Sequence, residues 1–152
     1  IRDVERSRGL GDVYKRQYYD KLRQLISEKK IENHISLLGW LPREKMSAFW
    51  QRQDVALNVS DNEGRPIANM EAMLNGAVPV VTETMGVLED VHDGENGFMV
   101  PICDYVGMAD KIEYLEKNRT ILPKMGKMAR KEMILKMDMG KYMSMWEKIL
   151  KE

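Results

Sequence analysis

The feature of this sequence that most restricts its fold is the alternation of short apolar runs with helical segments. Four apolar runs have the length of buried strands, and they lie at 35–38, 54–59, 78–82 and 98–100. Apolar residues at helical spacing occupy the segments between and after these runs, at 18–30, 42–50, 66–73, 104–115, 121–137 and 140–151. Strands that alternate with helices form βαβ units. The sequence therefore predicts a single α/β domain with a parallel sheet and helices on both faces.

One proline restricts where the run at 78–82 can lie in this sheet. Pro79 has no backbone N–H, so it cannot donate a hydrogen bond to a neighbouring strand. Its position predicts the start of a strand, or an edge strand, in preference to the centre of the sheet.

Charge and cysteine content exclude several classes of protein. The 152 residues carry 24 Lys and Arg against 24 Asp and Glu, so the chain lacks the overall basic field of nucleic-acid-binding proteins. Cys103 has no second cysteine with which to form a disulfide. No apolar run approaches the ~18–20 residues that a membrane-spanning helix needs. These observations predict a cytoplasmic globular domain that binds no nucleic acid.

The first 17 residues differ in character from the rest of the chain. They contain five basic and three acidic residues without an apolar period, and residues 12–17 read DVYKRQ. That hexapeptide resembles the translation of a transposon end that is used to tag sequencing libraries. We therefore expect residues 1–17 to be a non-native or disordered arm.

The polar stretch after the run at 54–59 is the candidate ligand site, because ligands of doubly wound sheets bind at the carboxyl ends of the strands. Residues 60–73 read SDNEGRPIANMEAM. Glu63 lies in the loop, Pro66 opens a helix, and Glu71 lies about 7–8 Å further along that helix. The free N–H groups at the start of the helix, together with its dipole, form an anion site.

Two carboxylates beside an anion site indicate a ligand that carries hydroxyl groups as well as phosphate. An ionised carboxylate only accepts hydrogen bonds, so it suits the vicinal diol of a ribose or a pyranose. A phosphate with diols on both sides describes a nucleotide sugar. The alternative is that Glu63 is an ordinary loop carboxylate and Glu71 a solvated helix residue.

Five short segments occur in a specific order along the chain. They are GWLP at 39–42, DVALNVS at 54–60, the E-x7-E pair Glu63 and Glu71, EAM…G…PVV at 71–81, and G..E.V.DG..G from Gly86 to Gly97. Together they resemble the donor-binding half of the family 4 retaining glycosyltransferases, over roughly residues 18–150. The resemblance implies a Rossmann-like domain that is one half of a GT-B fold, incomplete at its N-terminus. It makes residues 18–152 a partial nucleotide-sugar-binding domain.

The resemblance also implies a function and a role for each matching residue. It implies transfer of a hexose, with retention, from a UDP- or GDP-linked donor, without a cofactor or a metal. Glu63 would be the catalytic residue that contacts hydroxyls of the transferred sugar, and Glu71 would bind the ribose. The other implied donor-binding residues are Gly64, Arg65, Pro66 and Ile67 around the diphosphate, and Trp40 and Leu41 against the base.

Arg65 departs from the family pattern, which often has an apolar residue at this position. From the sequence alone, its side chain faces either phosphate or solvent. A non-catalytic module that binds a sugar nucleotide or regulates another protein is the alternative function.

The family pattern further includes parts that would precede Tyr18. These are an N-terminal acceptor-binding domain and a GR…KG stretch whose Arg and Lys grip the diphosphate. Without them we expect this fragment to bind its donor very weakly and to transfer nothing. The acceptor would be a glycan or a lipid-linked molecule.

A basic stretch near the C-terminus has two interpretations. It contains Lys124, Lys127, Arg130 and Lys131 at helical spacing. The first interpretation is a solvated helix face. The second is a peripheral contact with anionic lipids at the inner face of the membrane.

Overall fold

The computed structural model describes residues 10–138, 140, 143 and 144, and it divides the chain into two compact units, 1–41 and 42–152. In the first unit, helix α1 (Leu10–Glu28) leads into a 3-10 turn at Glu32–His34. Because α1 begins at Leu10, it includes part of the arm at 1–17. The non-native origin of that arm stays a prediction, which the nucleotide sequence tests.

The second unit contains a three-stranded parallel sheet in the order β1-β2-β3, with helices before, between and after the strands. Its elements are α2 (Arg43–Trp50), β1 (Val55–Asn58), α3 (Ile67–Leu74), β2 (Val78–Thr82), β3 (Phe98–Val100), α4 (Tyr105–Lys117) and α5 (Leu122–Lys136). The register pairs Val55 with Val78 and Val80 with Phe98. The predicted α/β fold is confirmed. The helix predicted at 140–151 falls largely outside the described residues.

The strand predicted at 35–38 is wrong. This segment of the first unit has no helical or strand assignment, and no described residue pairs with it. Ile35, Leu37 and Leu38 are exposed. An apolar run predicts burial, but a strand also needs a neighbouring backbone to supply hydrogen bonds. The sequence of the run itself carries no information about that neighbour.

Of the two positions predicted for Pro79, the edge strand is wrong, because β2 is the central strand. The start of a strand agrees with the structure, since Pro79 is the second residue of β2. Val78 N donates to Asp54 O on the β1 side, whereas Glu83 N donates to Val100 O on the β3 side. This alternation directs the nitrogen of Pro79 toward β3. Pairing with β3 begins only at Val80, so the missing N–H of Pro79 costs no ladder hydrogen bond.

Helices cover both faces of the central strand. Successive residues of a strand point to opposite faces. Val78 and Val80 accordingly belong to a core cluster with Met108 and Leu115 of α4. Val81 belongs to a second cluster, which includes buried residues of α3 and α5: Met70, Met73, Ala129 and Met133. None of the helices in the described part of the chain is both long and apolar enough to cross a bilayer.

Helix α5 approaches the α3–β2 turn at a glycine. A Cβ atom built on Gly126 would lie 2.2 Å from the carbonyl oxygen of Gly76. Gly76 itself has φ +89°, a conformation that favours glycine at the end of a helix. Because the obstructing atom belongs to the backbone, α5 can reach this position only if residue 126 lacks a side chain.

We expect Gly126→Ala to destabilise the protein although alanine is the better helix former. Overpacking against the Gly76 carbonyl outweighs the helix propensity gained, so the free energy of unfolding should fall by up to about 2 kcal/mol. Urea unfolding measures the change. Lys127→Ala, on the exposed side of the same helix, is the control, and it should change stability by less than about 0.5 kcal/mol. Equal stability of wild type and Gly126→Ala would contradict this close packing.

Candidate functional site

The loop after β1 is folded back on itself by side-chain hydrogen bonds. Asn58 Oδ1 accepts a hydrogen bond from Ser60 N at 2.9 Å, and Ser60 Oγ donates to Glu63 Oε1 at 2.9 Å. Thr82, which is buried at the end of β2, donates from Oγ1 to the carbonyl oxygen of Ser60. The carboxyl ends of two neighbouring strands therefore hold the start of this loop.

A close backbone approach holds the loop at Glu63 and Gly64. The amide of Gly86, in the turn that follows β2, donates to the carbonyl oxygen of Glu63 at 3.0 Å. A Cβ atom on Gly86 would lie 2.3 Å from the oxygen of Gly64 and 2.6 Å from that of Glu63. Only glycine at position 86 leaves room for this peptide.

Helix α3 begins directly after this loop and presents free backbone donors. The amides of Ile67 and Ala68 have no acceptor among the described residues, as expected for the first turn of a helix. Pro66, which precedes α3, is buried, whereas Gly64 and Ile67 are exposed. The start of α3 is therefore an accessible anion-binding element at the carboxyl edge of the sheet.

The two glutamates differ in what surrounds them. The half-buried Glu63 has one carboxylate oxygen bonded to Ser60, which restricts its orientation. Glu71, on α3, is also half-buried, but its carboxylate has no partner among the described residues. Its carbonyl oxygen, by contrast, accepts from the side chain of Asn75 at 2.8 Å. Glu71 thus holds an unused pair of acceptor oxygens on the helix that follows the loop.

The structure gives Arg65 a partner that the sequence does not suggest. Its guanidinium lies 3.5 Å from Asp90 Oδ1, and the Asp90 side chain is only 5% exposed. Lys136, at the end of α5, lies 3.3 Å from the same oxygen and 3.1 Å from Glu132. Arg65 thus pairs with a buried carboxylate and ties the loop toward α5, while its side chain stays 51% exposed. Its contact with phosphate stays a prediction.

The predicted site residues fall into two groups. Those at 63–67 and Glu71 lie together around the start of α3, in the second unit. Trp40, which is 84% exposed, and Leu41 belong to the first unit, and their contact with a base stays a prediction. No cluster of three His, Cys, Asp or Glu side chains able to hold a metal occurs in the described part of the chain.

A small hollow beside the loop shows how open this edge of the sheet is. It has a volume of about 70 Å³ and is lined by residues at or after the carboxyl ends of the three strands and by the start of α4: Val59, Asp61, Thr82, Cys103, Asp104, Tyr105 and Met108. Ligand pockets for small molecules typically have about 300–1,000 Å³. The hollow is therefore too small to enclose a nucleotide sugar.

Sequence reasoning assigned no role to three residues that build the site, although Gly86 begins the last of the matching family segments. Thr82 and Gly86 lie after the apolar core of β2, where a small polar residue and a glycine carry little signal by themselves. Asp90 lies beside Glu89 between the buried Val87 and Val91, so the sequence does not show which of the two carboxylates is buried. A charge within an apolar pattern indicates a buried ion pair, but not its partner.

The fold and this loop together define a class of protein. A parallel sheet whose carboxyl edge carries a glycine-containing loop and an open helix start is the ligand-binding arrangement of Rossmann-like α/β domains. The chain belongs to the glycosyl transferases group 1 family, whose sequence pattern matches residues 10–132. Membership of the glycosyl transferases group 1 family is thereby confirmed, whereas assignment to family 4 and transfer with retention stay predictions.

Two curated proteins that are similar to this chain are considerably longer than it. N-acetyl-α-D-glucosaminyl L-malate synthase of Bacillus anthracis is 26% identical over 126 residues, which are 83% of this chain and 32% of the relative. Poly(ribitol-phosphate) α-N-acetylglucosaminyltransferase of Staphylococcus aureus is 27% identical over 131 residues, 84% of this chain and 26% of the relative. The chain thus spans about a quarter to a third of the length of these curated relatives.

A solved structure supports the fold. Anabaena Alr3699/HepE in complex with UDP-glucose superposes with a TM-score of 0.80 at 21% sequence identity. The superposition covers 90% of this chain and 37% of that chain. It confirms the predicted Rossmann-like α/β fold of the GT-B type.

Replacing Gly86 by alanine should displace the Glu63–Gly64 peptide, because the added Cβ would overlap two backbone oxygens. We expect the amide of residue 86, which donates to the Glu63 carbonyl in the wild type, to exchange with deuterium at least about tenfold faster. Met85→Ala is the control, since Met85 is an exposed neighbour. Unchanged exchange in Gly86→Ala would mean that this contact does not hold the loop.

The pair Arg65–Asp90 should contribute more to stability than an exposed ion pair. A double-mutant cycle with Arg65→Leu and Asp90→Asn should give a coupling energy of about 0.5–2 kcal/mol, because Asp90 is buried. The cycle for the exposed pair Glu113 and Lys117 should give less than about 0.5 kcal/mol. Both cycles are measured by urea unfolding, and equal coupling energies would refute the tether.

Proposed function

We propose that this chain forms the donor-binding half of a glycosyltransferase that uses a UDP- or GDP-linked sugar and transfers a hexose with retention. The observation that carries the proposal is the arrangement at the start of α3. Free amides at Ile67 and Ala68 suit a diphosphate, and the carboxylates of Glu63 and Glu71 suit hydroxyl groups. A ligand with phosphate between two diols satisfies all of these groups.

Each part of the arrangement has a role in this proposal. Glu71 binds the ribose hydroxyls, which would engage its unpaired carboxylate. Glu63 is the catalytic residue: its free carboxylate oxygen accepts from hydroxyls of the sugar, while Ser60 holds its other oxygen. The amides after Gly64 contact the diphosphate, and the helix dipole offsets the charge that develops on it.

In the proposed reaction, the bond between the sugar C1 atom and the diphosphate oxygen breaks, and the acceptor oxygen forms a new bond to C1. The bonding pair leaves with the diphosphate, and the proton of the acceptor hydroxyl passes to a leaving phosphate oxygen. Both curated relatives carry an α-linked sugar in their names. Transfer from an α-linked donor to an α-linked product is transfer with retention.

Because this chain spans only part of its relatives, we assign donor binding and acceptor binding to different parts of the full-length protein. Residues outside the matched quarter to third of those proteins would supply the acceptor pocket. The acceptor in this proposal is a glycan or a lipid-linked molecule. The activity is therefore tested in the full-length protein that contains this chain.

Glu71→Ala should remove recognition of the ribose. We expect full-length wild type to bind the parent nucleoside diphosphate more tightly than its 2′-deoxy form, by about tenfold for one lost charge-assisted hydrogen bond. Glu71→Ala should bind both forms with equal, weaker affinity. Calorimetric titration with UDP and 2′-deoxy-UDP, and with the guanosine pair, measures the difference and identifies the base.

Glu116→Gln is the matched control, because Glu116 is an exposed glutamate on α4. It should preserve both affinities and the rate of transfer. If Glu71→Ala still prefers the ribose form, the assigned role of Glu71 is wrong. If Glu71→Ala changes the regulation of transfer but leaves its rate intact, the chain is a regulatory module and not a catalytic half.

A further inference from the structure

The outward face of α5 carries a cluster of cations that the fold does not use. Lys124, Lys127, Arg130 and Lys131 are all exposed. The opposite face of the helix is buried in the core through Leu122, Met125, Gly126, Ala129 and Met133. Lys124, Lys127 and Lys131 recur at a spacing of three or four residues, which places them along one side of the helix.

Several basic residues of the same unit have an acidic partner, whereas these four, like Arg43, Lys45 and Arg52, have none among the described residues. Arg119 pairs with Asp54, Lys117 with Glu113, and Lys136 with Asp90 and Glu132. Within the described residues, no carboxylate lies in ion-pair range of the cations at 124, 127, 130 and 131. We call these four residues the α5 cation cluster. No carboxylate of the described residues compensates their positive charge, so an anion from outside the chain can bind there.

Apolar side chains are interleaved with the cation cluster on the same side of the helix. Met128 is 38% exposed, Ile134 is 52% exposed and Leu135 is 53% exposed. Met128, Lys131 and Leu135 follow one another at a spacing of three or four residues, so these apolar and basic side chains lie on the same side of the helix. Exposed apolar side chains occur elsewhere on this chain as well, but on α5 three of them lie beside the cation cluster on one face.

We propose that this face of α5 docks on an anionic membrane surface. The cation cluster would contact lipid phosphates, and Met128, Ile134 and Leu135 would enter the boundary between headgroups and acyl chains. Nucleic acid is the less suitable anion, because the exposed apolar groups are aliphatic and offer no ring on which a base can stack. The proposal does not depend on the donor site, which lies at the start of α3.

Vesicle sedimentation of the chain tests the proposal. Vesicles of phosphatidylcholine with about one-third phosphatidylglycerol should bind the wild type, and vesicles of phosphatidylcholine alone should bind it at least about tenfold less. Salt of about 0.5 M should weaken the binding, since it screens the charges. Reversal of the cluster should lower binding by at least about tenfold. The four substitutions are Lys124→Glu, Lys127→Glu, Arg130→Glu and Lys131→Glu.

A control variant with the same change in net charge tests whether vesicle binding depends on this face of α5 or only on the total charge of the chain. It reverses four exposed cations elsewhere on the chain, namely Lys29, Arg43, Lys45 and Arg52. The control should retain most of the vesicle binding. Circular dichroism and urea unfolding establish that both quadruple variants are folded. Ile134→Ser with Leu135→Ser, which keeps every charge, should lower binding in the same assay.

Four results would overturn the proposal. They are no binding of wild type to anionic vesicles, equal loss in the cluster and control variants, unchanged binding of the cluster variant, and tighter binding of wild type to a single-stranded oligonucleotide than to vesicles. If Ile134→Ser with Leu135→Ser binds like wild type, the apolar part of the proposal fails. A cluster variant that does not fold is replaced by single Lys→Gln changes, whose losses should add.

Discussion

The packing of Gly86 against the Glu63–Gly64 peptide is the contact on which the rest of the site depends. It joins the turn after the central strand β2 to the loop after the neighbouring strand β1, and it leaves no room for a side chain at position 86. The hydroxyl of Thr82 holds the same loop one step earlier, at Ser60. The position of the loop in turn sets where α3 begins. The free amides and both glutamates therefore take their places from a contact between two backbones.

An ion pair adds a second constraint to the same loop. Arg65 reaches the buried carboxylate of Asp90, and Lys136 reaches the same carboxylate from the end of α5. Buried charges are tolerated only when they are paired, so Asp90 keeps both cations close. This network connects the candidate donor loop to the helix whose outward face carries the α5 cation cluster. One helix thus borders the core and the Asp90 network, and it also carries the proposed membrane surface.

Local sequence signals predicted the elements that rest on local or repeating patterns. The strands at Val55–Asn58, Val78–Thr82 and Phe98–Val100 follow from apolar runs bounded by turns. Asp104 belongs to a residue type that is typical of helix N-caps, and at the start of α4 its carboxylate accepts from Gly107 N. The strand at 35–38 failed because its hydrogen-bond partner is not encoded in the run. The interpretation of Pro79 as a sign of an edge strand was wrong. Only the sheet register shows that the neighbouring strand β3 needs no hydrogen bond from the nitrogen of Pro79.

The sequence by itself determined the α/β class and the family, and it predicts the candidate site at 63–67 and Glu71, because each depends on residue type at short or fixed spacing. The tertiary structure alone decided the partner of Arg65, the role of Gly86 and the unpaired state of the α5 cation cluster. Arg65 and Asp90 are 25 residues apart, and Gly86 lies 22 residues after Gly64. No periodic pattern links such positions. Only the folded backbone brings them together, and only packing reveals where a side chain cannot fit.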